Sequence, residues 1–114
     1  LMLTGAVPVY MVPTRNRYGI IGPIHPEEMS KKTIKKKITD SPLTKDAPSK
    51  DPRYAVLTNC TYDGLCYNAA ESQDLLAKSV PRVHFDEAWY GYARFNPIYA
   101  DHYAANGVRH TLDA

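Results

Sequence analysis

Apolar and polar positions along this chain change their spacing several times, and each change predicts an element. Gly5 to Val12 alternates β-branched and aromatic residues at Val7, Val9, Tyr10 and Val12, which predicts a strand. Pro13 to Pro26 is rich in Gly and Pro and predicts a long loop. Pro26-Glu27-Glu28 then suits a first helical turn, and the helix is expected to run to about Thr39. Within it Ile34 and Ile38 share one face, while Lys31, Lys32, Lys35, Lys36 and Lys37 occupy the rest. Asp40 to Pro52 carries three prolines and is expected to be a loop. Tyr54 to Thr58 is a short apolar run of the type expected for a buried parallel strand. Asn68 is a candidate cap for a helix from Ala69 to Lys78, with Leu75 and Leu76 on its buried face. Pro81 ends it, and Val83 to Phe85 is a further strand ending at Asp86. The order strand, helix, strand, helix, strand predicts an α/β fold with a mostly parallel sheet, flanking helices and right-handed crossovers.

Composition narrows this picture. The 114 residues fit one small domain or part of a larger one. An apolar fraction of 44% and a charged fraction of 23% are those of an ordinary globular chain. A net charge of +2 argues against nucleic acid as a partner. The lysine run suggests a solvated helix face, with a polyanion-binding patch as the alternative. Cys60 and Cys66 lack the further ligands of a zinc site, so no metal is expected. A disulfide between them is possible in principle, but nothing argues for secretion. The apolar start, Leu1 to Val12, is too short to span a bilayer and has no basic leader, so no membrane association is expected. Asn59-Cys60-Thr61 matches a glycosylation sequon that matters only in a secreted protein, and a cytoplasmic location is the default. The chain opens at Leu1 in what reads as structured sequence, as a fragment would.

Two polar clusters stand just past predicted strands: Asn59 to Gly64, and His84 to Gly91. In open α/β sheets ligands bind at the carboxyl ends of strands, so both point to one crevice. The plain alternative is that Asp63-Gly64 is a turn and Asp86 caps the segment after it. A carboxylate between Phe85 and Trp89 would want a cationic partner, and a protonated pyridine nitrogen is a fitting one. Ala88, two positions on, would point to the same side and let a flat ring lie against the backbone.

The run from His84 to Tyr99, His-Phe-Asp-Glu-Ala-Trp-Tyr-Gly-Tyr-Ala-Arg-Phe-Asn-Pro-Ile-Tyr, resembles a signature of the bacterial ornithine/lysine/arginine decarboxylases. Thr58 to Asn68, and Thr4 to Tyr10 with Pro13 to Ile24, resemble the same family in the same order. Glu87, the Tyr90-Gly91-Tyr92-Ala93-Arg94 stretch and Asp101-His102-Tyr103 resemble its acid-induced, arginine-specific branch most. The resemblance implies part of the large domain of the aspartate-aminotransferase fold, binding pyridoxal 5'-phosphate (PLP), over residues 1–104. Residues 105–114 are expected to be a divergent tail. It further implies Asp86 as partner of the pyridine nitrogen, Ala88 against one ring face, Trp89 lining the site and Thr61 near the cofactor. The resemblance also implies a parent enzyme that forms homodimers and higher oligomers and acts on a basic amino acid, expected to be arginine, converted to agmatine and CO2 in acid resistance.

The departures matter as much. In the family the Schiff-base lysine follows Asp-x-Ala-Trp, whereas the last lysine here is Lys78. The glycine-rich phosphate turn and a stacking histidine would lie before Leu1. The chain is therefore expected to have no catalytic residue of its own, to hold PLP poorly and to be inactive alone. The alternatives are a non-catalytic polypeptide that associates with the parent enzyme or with itself, and a remnant of a disrupted gene.

Overall fold

A computed structural model describes residues 2–100, 102, 111 and 112. The chain divides into two compact units, Leu1–Asp51 and Pro52–Ala114, and the boundary falls at the end of the proline-containing loop.

In the first unit, Gly5 to Val12 is not a strand. Alternating side chains make a strand only where a ladder partner exists, and this unit supplies none among the described residues. Side chains take over instead: the Val12 N–H donates to Glu28 Oε2 at 2.9 Å, and the Tyr10 carbonyl accepts from Lys37 Nζ at 3.1 Å. Part of the expected loop is a small hairpin, with a bridge between Arg15 and Ile21. Asn16 Oδ1 accepts from the Tyr18 and Ile20 N–H groups at 2.9 and 3.0 Å, and Gly19 turns the chain at φ 83°.

The single helix expected from Pro26 is two pieces. Pro26–Met29 is a 3-10 turn, and helix α1 spans Lys31–Asp40. Ser30 lies between them in extended backbone, where its hydroxyl caps α1 by accepting from the Thr33 N–H at 3.3 Å. Met29 and Ile38 are buried and Ile34 half-buried, while Lys31, Lys32, Lys35 and Lys36 are exposed. Lys37 instead pairs with Glu28.

In the second unit, strand β1 (Ala55–Thr58), helix α2 (Ala69–Ala77) and strand β2 (Val83–Asp86) follow one another, and strand β3 (Thr111–Leu112) completes a sheet ordered β1-β2-β3. Both pairings are parallel, with Thr58 opposite Asp86 and Asp86 opposite Leu112. Asn68 Oδ1 caps α2 through the Glu71 N–H at 3.0 Å. Leu76 is fully buried and Leu75 half-buried, and α2 packs on β2. Leu57, Val83 and Phe85 are buried, but Val56 stays exposed, so β1 is covered on one face within this chain. Of the expected tail 105–114, all but 111 and 112 lies outside the described residues, as do Asp101 and Tyr103.

Candidate functional site

The carboxyl ends of β1 and β2 lie side by side because the parallel register sets Thr58 opposite Asp86. The Asn59 N–H continues the ladder, donating to the Asp86 carbonyl at 2.9 Å. The two polar clusters thereby meet.

Asp86 is half-buried at the last position of β2, and its Oδ1 accepts from the Ala88 N–H at 3.3 Å. Its second oxygen accepts no hydrogen bond among the described residues, which leaves an acceptor open for a cationic N–H. Phe85 is fully buried. Neighbouring strand positions face opposite sides, so Phe85 does not flank the Asp86 carboxylate as the sequence suggested. The chain turns directly after Asp86, so strand alternation does not aim Ala88 either; it stands exposed at the head of a turn. Trp89 is 67% exposed, with its ring 5.4 Å from that of Tyr62. Thr61 is half-buried, and its hydroxyl accepts from the Leu65 N–H at 3.2 Å. Asp86, Ala88 and Trp89 thus share one turn, and the Tyr62–Trp89 contact joins the loop of Thr61 to it.

Beneath this surface lies a polar network that the sequence did not single out. Asn59 and Glu87 are 0% and 2% exposed, and Asn59 Nδ2 donates to Glu87 Oε1 at 2.7 Å. The same amide donates to the His102 carbonyl at 2.8 Å, while its oxygen accepts from the Tyr67 N–H at 2.9 Å. His102 Nδ1 in turn contacts the Tyr67 carbonyl at 3.1 Å. One amide therefore ties the ends of both strands to the segment before α2 and to residue 102. The only sequence hint was a pair of amide and acid residues placed just after successive strands.

An apolar cluster borders the network. Cys60, Tyr90 and Ala93 are buried in it, with Cys66 and Tyr99 against them. Tyr90, Tyr92 and Tyr99 meet edge to face at 5.6 to 5.9 Å. Burial first, then the neighbouring Cys66 thiol, pushes the Tyr90 phenol up, so it stays protonated at neutral pH. Among the described residues no group of three His, Cys, Asp or Glu is placed to hold a metal ion, and no helix is long and apolar enough to cross a membrane.

Comparison with known proteins places this arrangement. The family described as Orn/Lys/Arg decarboxylase, major domain, matches residues 1–113. The chain belongs to that family. Its match runs on to 113, whereas the resemblance read from the motifs ended at about residue 104. The biodegradative arginine decarboxylase of Escherichia coli is 73% identical over 107 residues, which are 94% of this chain and 14% of that protein. A lysine decarboxylase of Pseudomonas aeruginosa is 50% identical over 109 residues, and the constitutive ornithine decarboxylase of E. coli 36% over 102. The solved structure of lysine decarboxylase A from P. aeruginosa superposes with a TM-score of 0.81 at 48% identity, covering 92% of this chain and 14% of that one. The constitutive lysine decarboxylase of E. coli gives 0.76 at 39% identity, covering 90% and 13%. This decarboxylase-family chain thus spans about one-seventh of the length of the relatives it matches.

Proposed function

We propose that these residues are part of the PLP-binding large domain, of the aspartate-aminotransferase fold, in an arginine decarboxylase that converts arginine to agmatine and CO2. The observation that supports this most is Asp86, an open carboxylate at the junction of two parallel strand ends, inside a stretch 73% identical to an arginine decarboxylase. The identity is higher to that enzyme than to the lysine and ornithine decarboxylases compared with it above.

The residues present fit one end of the cofactor. Asp86 would hold the protonated pyridine nitrogen by an ion-paired hydrogen bond, with Ala88 and Trp89 beside the ring and Thr61 on the neighbouring loop. PLP, when bound, supplies an electron sink for the charge left on carbon as CO2 departs. Asp86 contributes by keeping the nitrogen proton in place. The Asn59–Glu87 bond keeps the strand end that carries Asp86 in register with β1. No lysine follows Lys78, so the covalent anchor is not among these 114 residues. By themselves they neither retain PLP nor release CO2 from arginine.

A graft tests the proposal. The 114 residues replace the matched stretch of the E. coli arginine decarboxylase, and the chimera is expected to release CO2 from arginine. Asp86→Asn in the chimera is expected to lower kcat by roughly 10²-fold or more, the scale of losing one aimed charge at a reacting centre. Retained activity in the Asn variant would remove Asp86 from its role. A PLP absorbance band that survives dialysis of the 114-residue chain would overturn its inactivity alone.

A further inference from the structure

Cys60 and Cys66 flank a tight turn at the carboxyl end of β1. The Thr61 N–H donates to the Leu65 carbonyl at 3.1 Å, and the Gly64 N–H to the Thr61 carbonyl at 2.9 Å. Gly64 takes φ 79°, a region in which a side chain would be strained. The first of these bonds sets Thr61 and Leu65 opposite one another across a short antiparallel turn. Cys60 and Cys66 are the residues one position further out on either side of that bond. Residues that flank so tight a turn lie within reach of a disulfide, which spans Cα atoms roughly 4.4–6.8 Å apart.

The side chains agree with the backbone. Both cysteines pack on the cluster built around Tyr90 and both are free thiols, each donating to a carbonyl of the turn between them: Cys60 to that of Thr61 and Cys66 to that of Gly64, both at 3.5 Å. They differ in access: Cys60 is 8% exposed, whereas Cys66 is only half-buried.

We propose that Cys60 and Cys66 are a thiol modification site, which a small disulfide of the glutathione type converts to a reversible intrachain bridge. Burial first, then the neighbouring Cys66 thiol, pushes the Cys60 thiol up, so the first attack falls to the more accessible Cys66. The Cys66 thiolate attacks one sulfur of the small disulfide and expels a thiolate, which takes up a proton. Cys60 then gives its proton to solvent, attacks Sγ of Cys66 and expels the second thiol. Two protein thiols lose two electrons, and one disulfide is reduced to two small thiols. The bridge would pin the turn that carries Thr61 and Tyr62, and through Tyr62 the Trp89 ring that packs against it. The inference stands apart from the decarboxylase proposal, because neither its chemistry nor its readout involves PLP.

The test equilibrates the 114-residue chain with oxidised and reduced glutathione, in native buffer and in urea. Acid quenching is followed by intact-mass measurement and peptide mapping. The expected product is lighter by two hydrogens and yields one peptide pair joined through Cys60 and Cys66. At a given glutathione ratio, the bridged fraction relative to the reduced is expected to be about tenfold higher in native buffer than in urea, because the folded turn pre-aligns the sulfurs. Cys60→Ser and Cys66→Ser should each give at most a single glutathione adduct. Equal ratios in native buffer and urea, adducts on both cysteines, or bridges between chains would each overturn the proposal.

Discussion

Asn59 carries more structural connections than any residue that the motifs made prominent. Its amide faces the Glu87 carboxylate, the Tyr67 N–H and the His102 carbonyl in a site closed to water. A buried carboxylate that loses a hydrogen-bond donor keeps its desolvation cost without the compensating bond. Asn59→Leu is therefore expected to destabilise the second unit by about 2–3 kcal/mol. Glu87→Gln, whose amide oxygen still accepts from Asn59, is expected to cost less. Urea denaturation of the two variants checks the order, and a larger loss for Glu87→Gln would contradict the network as described. The site residues were legible in part: Asp86 and its neighbours were named from a strand end and a resemblance. Asn59 was named only as the start of a polar cluster, and its structural role was not legible, because three of its hydrogen bonds reach 8, 28 and 43 positions along the chain.

Among the elements, α1 shows how ionised groups take the place of a sheet. Its Lys37 and the preceding Glu28 hold the 10–12 segment through the Tyr10 carbonyl and the Val12 N–H. The hydrogen bond from Lys37, followed by that from Val12, holds the Glu28 carboxyl below its ordinary 4.5. A depressed acid contributes stability that is fully present above the unfolded value and is lost as pH falls through the folded one. The Val12 amide is thus expected to lose hydrogen-exchange protection, after correction for intrinsic rate, as pH drops below 4.5. Glu28→Gln should remove that pH dependence, and an unchanged profile in the variant would assign it to another group. The same region shows where local pattern misleads. Val7, Val9, Tyr10 and Val12 alternate as a strand does, yet alternation states only which faces differ, and a strand also needs a neighbour to complete its hydrogen bonds. Ser30 likewise divided an expected single helix, since its hydroxyl caps α1 only from extended backbone.

At the scale of the whole molecule, the second unit leaves a good deal of apolar surface uncovered. Tyr62, Trp89, Phe95 and Ile98 are 87%, 67%, 86% and 74% exposed. The sheet also presents the outer edge of β1. Unpaired edges and large apolar side chains favour association. Gel filtration of the 114-residue chain is expected to show species larger than a monomer, growing with concentration. A monomer that stays monomeric at high micromolar concentration would remove self-association as an alternative role. In a full decarboxylase, where relatives are about seven times as long, other parts of the polypeptide would cover such surfaces.

What the sequence by itself determined is local and motif-borne: the caps at Asn68, the strands before Asn59 and Asp86, the helix between them, and the family. Those features depend on side-chain period and on neighbours a few residues apart, and a long motif identifies a family without any contact being known. The tertiary structure decided the rest. It placed Thr58 opposite Asp86, buried Phe85 away from the carboxylate, turned the chain at Ala88, left Gly5 to Val12 without a ladder and tied Asn59 to Glu87. Each of these turns on how a polar or apolar group is satisfied by residues distant along the chain, and only the folded arrangement settles which partner it finds.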